Sequence, residues 1–216
     1  MVHDISEDVR AREVEIPPTG LKAILTVPES AAAMIIFAHG SGSGRLSPRN
    51  NYVAAALRED GFATLLLDLL TPEEELDRAN VFDIELLAGR LSLAARWIRE
   101  QPAFSEIPIS YFGASTGAGA ALVAAARDEP HVAAVVSRGG RPDLAGGWLE
   151  RVHAPTLLIV GSLDGPVIDL NREAYDALQC PKRMTIINGA GHLFEEPGTL
   201  EEVIVHVSAW FSVHRD

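Results

Sequence analysis

The sequence predicts a three-layer α/β/α sandwich built on a mostly parallel sheet of about eight strands. Two observations carry that prediction. Short apolar runs alternate with segments of helical periodicity along the whole chain, the pattern of βαβ units with right-handed crossovers. The central apolar runs are also continuous rather than alternating, as expected of strands covered on both faces.

Taken in order, 12–17 and 21–27 read as two strands joined by the turn "PTG", an antiparallel hairpin at the edge of the sheet. The run "AMIIFAHG" (33–40) is a buried strand ending in glycine. Segment 52–60 has helical spacing and stops at Gly61, a C-terminal cap. The strand 62–70 follows, and then a long amphipathic helix over 81–100. Strand 107–113, helix 116–127 and strand 132–137 come next. The last units are strand 155–161, helix 169–179, strand 183–188 and a closing helix over 200–215. No repeat, low-complexity segment or linker interrupts the pattern, so residues 1–216 read as one domain.

Composition excludes several functions. A net charge of −12 argues against nucleic acid and anionic membrane as partners, because both need clustered Lys and Arg. Cys180 is the single cysteine, so no intrachain disulfide can form. The first ten residues, "MVHDISEDVR", are acidic and lack the apolar core of a signal peptide. A cytoplasmic protein, monomeric or homodimeric, is the expectation. No H-E-x-x-H pattern or cysteine–histidine cluster points to a metal, and no cofactor is expected.

In open α/β sheets, functional groups gather in loops at the carboxyl ends of strands. Three such loops carry chemistry here. "GASTG" (113–117) matches G-x-S-x-G between a strand and a helix, which predicts a strained turn presenting Ser115 as a nucleophile. Gly113 and Gly117 would relieve collisions of that turn with the flanking chain, and Gly119 would let the helix approach the sheet. "GSLDGP" (161–166) places Asp164 after the next-to-last strand, where the plain reading is a turn aspartate before glycine. "GAGHLFEEPG" (189–198) places His192 after the last strand, where the plain reading is a surface histidine. Asp169, read as the start of the next helix, and Glu195 and Glu196 compete with Asp164 for the role of acid. The order nucleophile, acid, base is the one expected when the serine lies on such a turn.

"FAHGSGSG" (37–44) is glycine-rich and follows a central strand. Its backbone N–H groups suit an oxyanion, with Ser41 N–H as one donor and Thr116 N–H, at the head of the next helix, as the other. A phosphate loop fits poorly because no G-K-[ST] follows. His39 is read as a brace for this loop. Arg138 and Arg141, in "SRGGRPD" (137–143), are candidates to bind a substrate carboxylate; the simpler reading is an ion pair with Asp143 or another acidic neighbour.

These residues resemble the α/β-hydrolase fold, and more narrowly the dienelactone hydrolase-like family. The similarity runs from "IIFAHGSGSGRLSPRN" through "YFGASTGAGAALVAAA" and "VVSRGGRPDLA" to "PTLLIVGSLDGPVI" and "GAGHLFEEPG". The resemblance implies an eight-stranded, mainly parallel sheet and a serine-type hydrolase of esters or lactones, with Ser115, Asp164 and His192 as nucleophile, acid and base. The family's namesake enzymes carry cysteine at the turn where this chain has serine, which favours a general carboxylesterase.

Only "RGGRPDLAGGWLERVHA" separates strand 132–137 from strand 155–161, leaving no room for a large lid. An open, shallow pocket for small or short-chain acyl esters follows, with 68–83 as a partial rim whose acidic run reads as a solvated face or helix start. Three other readings compete. A non-catalytic binding module would keep the fold without the chemistry. Thioesterase, amide-cleaving or acyltransferase chemistry would use the same three residues. A dinucleotide enzyme fits poorly, since "GAGAAL" (117–122) lacks the third small residue and the following strand ends without an acidic group.

Overall fold

The computed structural model describes residues 10–128 and 132–215. The N-terminal acidic segment, with His3, and His131 lie outside them. Eight strands form one sheet in the order β1-β2-β4-β3-β5-β6-β7-β8. They are β1 Arg10–Ile16, β2 Leu21–Val27, β3 Met34–Ala38, β4 Ala63–Leu67, β5 Ile109–Ala114, β6 Val132–Arg138, β7 Thr156–Gly161 and β8 Lys182–Ile187. β2 is antiparallel to β1 and to β4, and every pairing from β4 through β8 is parallel. β3, β4, β5 and β7 are buried at every position, which is why they read as unbroken apolar runs.

Helices cover both faces. On one side, α1 (Pro48–Glu59) and α6 (Thr199–Val213) bury Val53, Leu57, Val207 and Phe211 against Phe37, Phe112 and Ile159. On the other, α3 (Ile84–Glu100), α4 (Thr116–Asp128) and α5 (Gly165–Ala177) pack on Ile36, Tyr111, Val135 and Leu158. A short helix, α2 (Arg78–Val81), leads into α3. β6 connects to β7 through Pro142–Arg151, a run of 3₁₀ turns kinked at Gly146, so no lid domain is inserted there.

Three helix starts differ from the sequence reading. The long helix expected over 81–100 begins at Ile84, because α2 ends at Val81 and Asp83 Oδ1 accepts the Leu86 N–H as a fresh cap. α1 begins at Pro48, with Ser47 Oγ accepting the Asn50 N–H, four residues before the apolar periodicity starts at Tyr52. α5 begins at Gly165, so Asp169 does not open the helix; it pairs with Arg172 in the second turn. Proline in the first two helical positions marks the α1 and α5 starts before any apolar face does, and at α1 the Ser47 cap adds to it.

Candidate active site

Ser115 sits between β5 and α4 with φ 50°, one of two described non-glycine residues in the left-handed region. That conformation is strained for a residue with a side chain. The surroundings hold it: Ser115 N–H donates to Arg138 O at 3.4 Å, and its carbonyl accepts the N–H groups of Ala118 and Arg141, each at 3.0 Å. The flanking glycines are sterically required. A Cβ at Gly113 would lie 2.5 Å from Ala118 Cα, and one at Gly117 would lie 2.3 Å from Ala38 O. Gly119 does not serve the sheet. It faces Arg141 O at 3.0 Å and Leu144 Cβ at 3.1 Å, making room for the connection after β6, while Gly117 provides the close approach of α4 to β3.

His192 follows β8 and Asp164 follows β7. His192 Nδ1 donates to Asp164 Oδ2 over 2.6 Å. Asp164 stands at the N-cap position of α5, yet its side chain makes no cap hydrogen bond. The carboxylate turns to the imidazole instead, and its backbone carbonyl accepts from Val167 and Ile168. With Nδ1 committed as donor, the Nε2 lone pair is the basic one. The histidine loop is latched by Glu196, whose Oε2 accepts the Gly191 N–H at 3.1 Å. That bond holds the Glu196 carboxyl below its ordinary range. Glu195 pairs with Arg49 across 2.7 Å. Of the acidic candidates, Asp164 is the one hydrogen-bonded to His192. The loops converge at the end of β6: Arg138 O receives the Ser115 N–H, and a Cβ on Gly139 would lie 2.8 Å from His192 O.

The glycine-rich loop after β3 abuts the serine; a Cβ at Gly40 would come within 2.8 Å of Ser115 Cβ. His39 braces it, as expected. Its Nδ1 donates to Gly40 O at 2.9 Å and its Nε2 accepts the Leu69 N–H at 3.0 Å. Burial lowers the imidazole from its ordinary range, consistent with that neutral tautomer. Ser41 N–H, one expected oxyanion donor, points at Thr116 Oγ1 across 3.1 Å. Thr116 N–H heads α4, where first-turn N–H groups have no intrahelical acceptor. A pocket of about 310 Å³ opens beside these donors, lined among others by Ser41, Thr116, Leu69, Leu70, Val81 and Leu87. The 68–83 segment thus forms a wall of it, and Glu75, from the acidic run read as a solvated face, is part of the lining.

The two arginines separate. Arg141 is held bidentately by Asp143 at 2.9 and 2.8 Å, the simpler of the two readings. Arg138 is buried and bonded to Asn50. The Glu196 latch, the Arg49–Glu195 pair and Asn50 were not evident from the sequence; the proximity of Glu196 to "GAGH" was the one local signal for the first.

A solved dienelactone hydrolase from Anabaena variabilis is 52% identical with TM-score 0.91, covering 96% of this chain and 98% of that one. The chain belongs to the dienelactone hydrolase-like family of α/β-hydrolases. Est1E from Butyrivibrio proteoclasticus shares the fold at TM-score 0.78 and 16% identity, over 94% of this chain and 98% of its own. Among curated proteins, two Mycobacterium tuberculosis sequences, each named "Putative phosphoribosyl transferase", are 56% identical over 208 residues. That match covers 95% of this chain and 47% of theirs, so the chain spans about half the length of these relatives. No family model matches. No helix among the described residues is long and apolar enough to cross a membrane.

Proposed function

We propose that the protein is a serine hydrolase that cleaves small or short-chain carboxylic esters, lactones included, through an acyl-enzyme. The observation that carries this reading is the Asp164–His192 hydrogen bond, on loops that meet the left-handed Ser115 turn at the end of β6. Ser115 Oγ attacks the ester carbonyl while His192 Nε2 takes its proton. Asp164 orients the imidazole and stabilises its charged form. Thr116 N–H and Ser41 N–H receive the tetrahedral oxyanion, Ser41 giving up its bond to the Thr116 hydroxyl. The imidazolium protonates the departing alcohol. Water, activated by His192, then releases the acid and restores the serine.

The 310 Å³ pocket, walled by Leu69, Leu70, Val81 and Leu87, suits a short acyl chain. The reading needs no metal or cofactor. The test is a p-nitrophenyl ester series of increasing acyl length together with a fluorophosphonate probe. Wild-type protein is expected to be labelled at Ser115 and to prefer short acyl chains. Ser115→Ala is expected to lose labelling and about 10⁴-fold of turnover while staying folded. A loss under tenfold would refute the assignment. Thioester turnover above ester turnover would favour a thioesterase, and absence of both labelling and turnover would favour a binding module.

A further inference from the structure

Next to the 310 Å³ pocket lies a second cavity of about 170 Å³, and both are lined by Ser43, Leu70 and Glu75. Glu75 therefore stands where the pocket beside Ser41 and Thr116 runs into its neighbour. Arg45 and Asp68, which line the second cavity, neutralise one another: Asp68 Oδ2 meets Arg45 Nη1 at 2.6 Å, and its Oδ1 accepts the Arg45 N–H at 2.7 Å. Glu74 pairs with Arg90 of α3. The Glu75 carboxylate has no hydrogen bond or ion pair among the described residues, so it is the one uncompensated charge in the two linings.

The backbone that presents Glu75 is firmly anchored. It belongs to a single 3₁₀ turn, Glu74–Leu76. Glu74 Oε2 accepts the Thr71 N–H at 2.9 Å, and Thr71 Oγ1 accepts the Glu74 N–H at 3.3 Å. Asn80 Nδ2 donates to Glu74 O at 2.9 Å, and the Glu75 N–H donates to Thr71 O at 3.0 Å. A side chain carried on such a turn loses less freedom when it takes a ligand. The charges of Asp68 and Glu75 both act on the His39 ring in the lining of the larger pocket, raising it against the burial that lowers it.

A free carboxylate at this junction repels an anion and attracts a cation, more strongly once the ligand displaces water. The kind of cation follows from the rest of the lining. Quaternary ammonium groups have no N–H and are held by aromatic faces. No Phe, Tyr or Trp lines either cavity, whereas Ser41 and Ser43 bring hydroxyl groups. A carboxylate beside hydroxyl oxygens suits a cation that donates hydrogen bonds.

We infer that Glu75 is a specificity-determining residue, selecting esters whose acyl chain ends in a primary ammonium group. The ammonium donates to the Glu75 carboxylate, with the Ser43 hydroxyl as a second acceptor. The inference deepens the ester-hydrolase reading and rests on it.

The turnover arm of the test uses ethyl esters of glycine, β-alanine and γ-aminobutyrate, each against its uncharged isostere, ethyl propanoate, butanoate or pentanoate. For each pair, kcat/KM of the ammonium ester is divided by that of the isostere. For at least one chain length this ratio is expected to fall about fivefold or more in Glu75→Gln, chiefly through KM, and to be partly restored in Glu75→Asp. A ratio unchanged at every length overturns the proposal, as does an equal Glu75 dependence for the trimethylammonium analogue of the best ester. The binding arm is free of turnover. Ser115→Ala protein is titrated with the same ammonium ester, following the Ser43, Leu70 and Glu75 amide resonances by NMR. Saturable binding, weakened about fivefold or more when Glu75→Gln is added, is expected; no saturation, or equal affinity in both proteins, overturns the proposal. Glu75-dependent ammonium binding in a protein that turns over no ester would leave the cation site standing and the hydrolase reading refuted. Ester turnover without any Glu75 dependence would do the reverse.

Discussion

Asp164 Oδ2 lies 2.6 Å from His192 Nδ1, and 13% of the aspartate side chain is exposed against 38% of the histidine's. The carboxylate is thus largely removed from water while the ring keeps an open edge. Asp164→Asn should lower kcat/KM about 10⁴-fold, because an amide stabilises neither the tautomer nor the imidazolium. Glu195→Gln breaks only a rim pair with Arg49 and should stay within about threefold of wild type. If the glutamate variant is the more damaging in esterase assays, the acid is misassigned.

The Ser115 turn depends on the bare backbone of Gly117. A Cβ there would fall 2.3 Å from Ala38 O and 2.5 Å from His39 O, both backbone atoms rather than the ends of flexible side chains. Gly117→Ala should cost roughly 3 kcal/mol or more of stability by forcing α4 off β3. Urea unfolding of the variant measures this. A change below about 0.5 kcal/mol would mean that the helix approaches the strand less closely than described.

His39 couples the glycine-rich loop after β3 to the segment after β4 as a neutral ring, and burial lowers its pKa. The unfolded chain therefore takes up a proton near pH 6.5 that the folded chain refuses. Stability should be level above about pH 6.5, fall as pH drops below it, and level off again once the folded ring protonates. His39→Gln keeps an acceptor for Leu69 N–H and a donor for Gly40 O, and should flatten this part of the profile. Unfolding free energies of both proteins between pH 5 and 8 provide the comparison; parallel profiles would remove His39 as the cause.

Arg141 and Asp143 form a partly exposed pair, with side-chain exposures of 38% and 19%. Such pairs contribute about 0–1 kcal/mol. Arg141→Ala should shift unfolding by no more than that, and should leave kcat/KM for a carboxylate-bearing p-nitrophenyl ester, relative to its methyl ester, within about twofold. A collapse of that ratio would place Arg141 on the substrate.

Much of this was legible along the chain. Runs such as "ATLLL" and "TLLIVG" are buried over their whole length, so their apolarity names them as central strands. The order of Ser115, Asp164 and His192 follows from where strands end in this sheet, and strand ends are a local property. α1 starts before its apolar period because its first turn, 48–51, is polar, and α5 starts at a Gly-Pro pair that by itself reads as a turn. The 3₁₀ segment Pro142–Arg151 has its kink at Gly146, a break that hides it from any periodic reading.

The sequence by itself determined the layered α/β fold, the strained serine turn and the three residue types delivered to one end of the sheet. Each rests on near-neighbour chemistry: hydrophobic period, glycine sterics, turn residues. Only the tertiary structure decided which acid His192 takes, since Asp164 and Glu195 are equally acidic in a string of letters. It also separated two arginines three positions apart. Arg141 finds Asp143 two residues away, whereas Arg138 reaches across 88 residues to an uncharged amide. Its partner, and the charge it lacks, depend on how β6 and α1 pack, because burial in a low-dielectric interior is a property of the assembled layers and of no local stretch of chain.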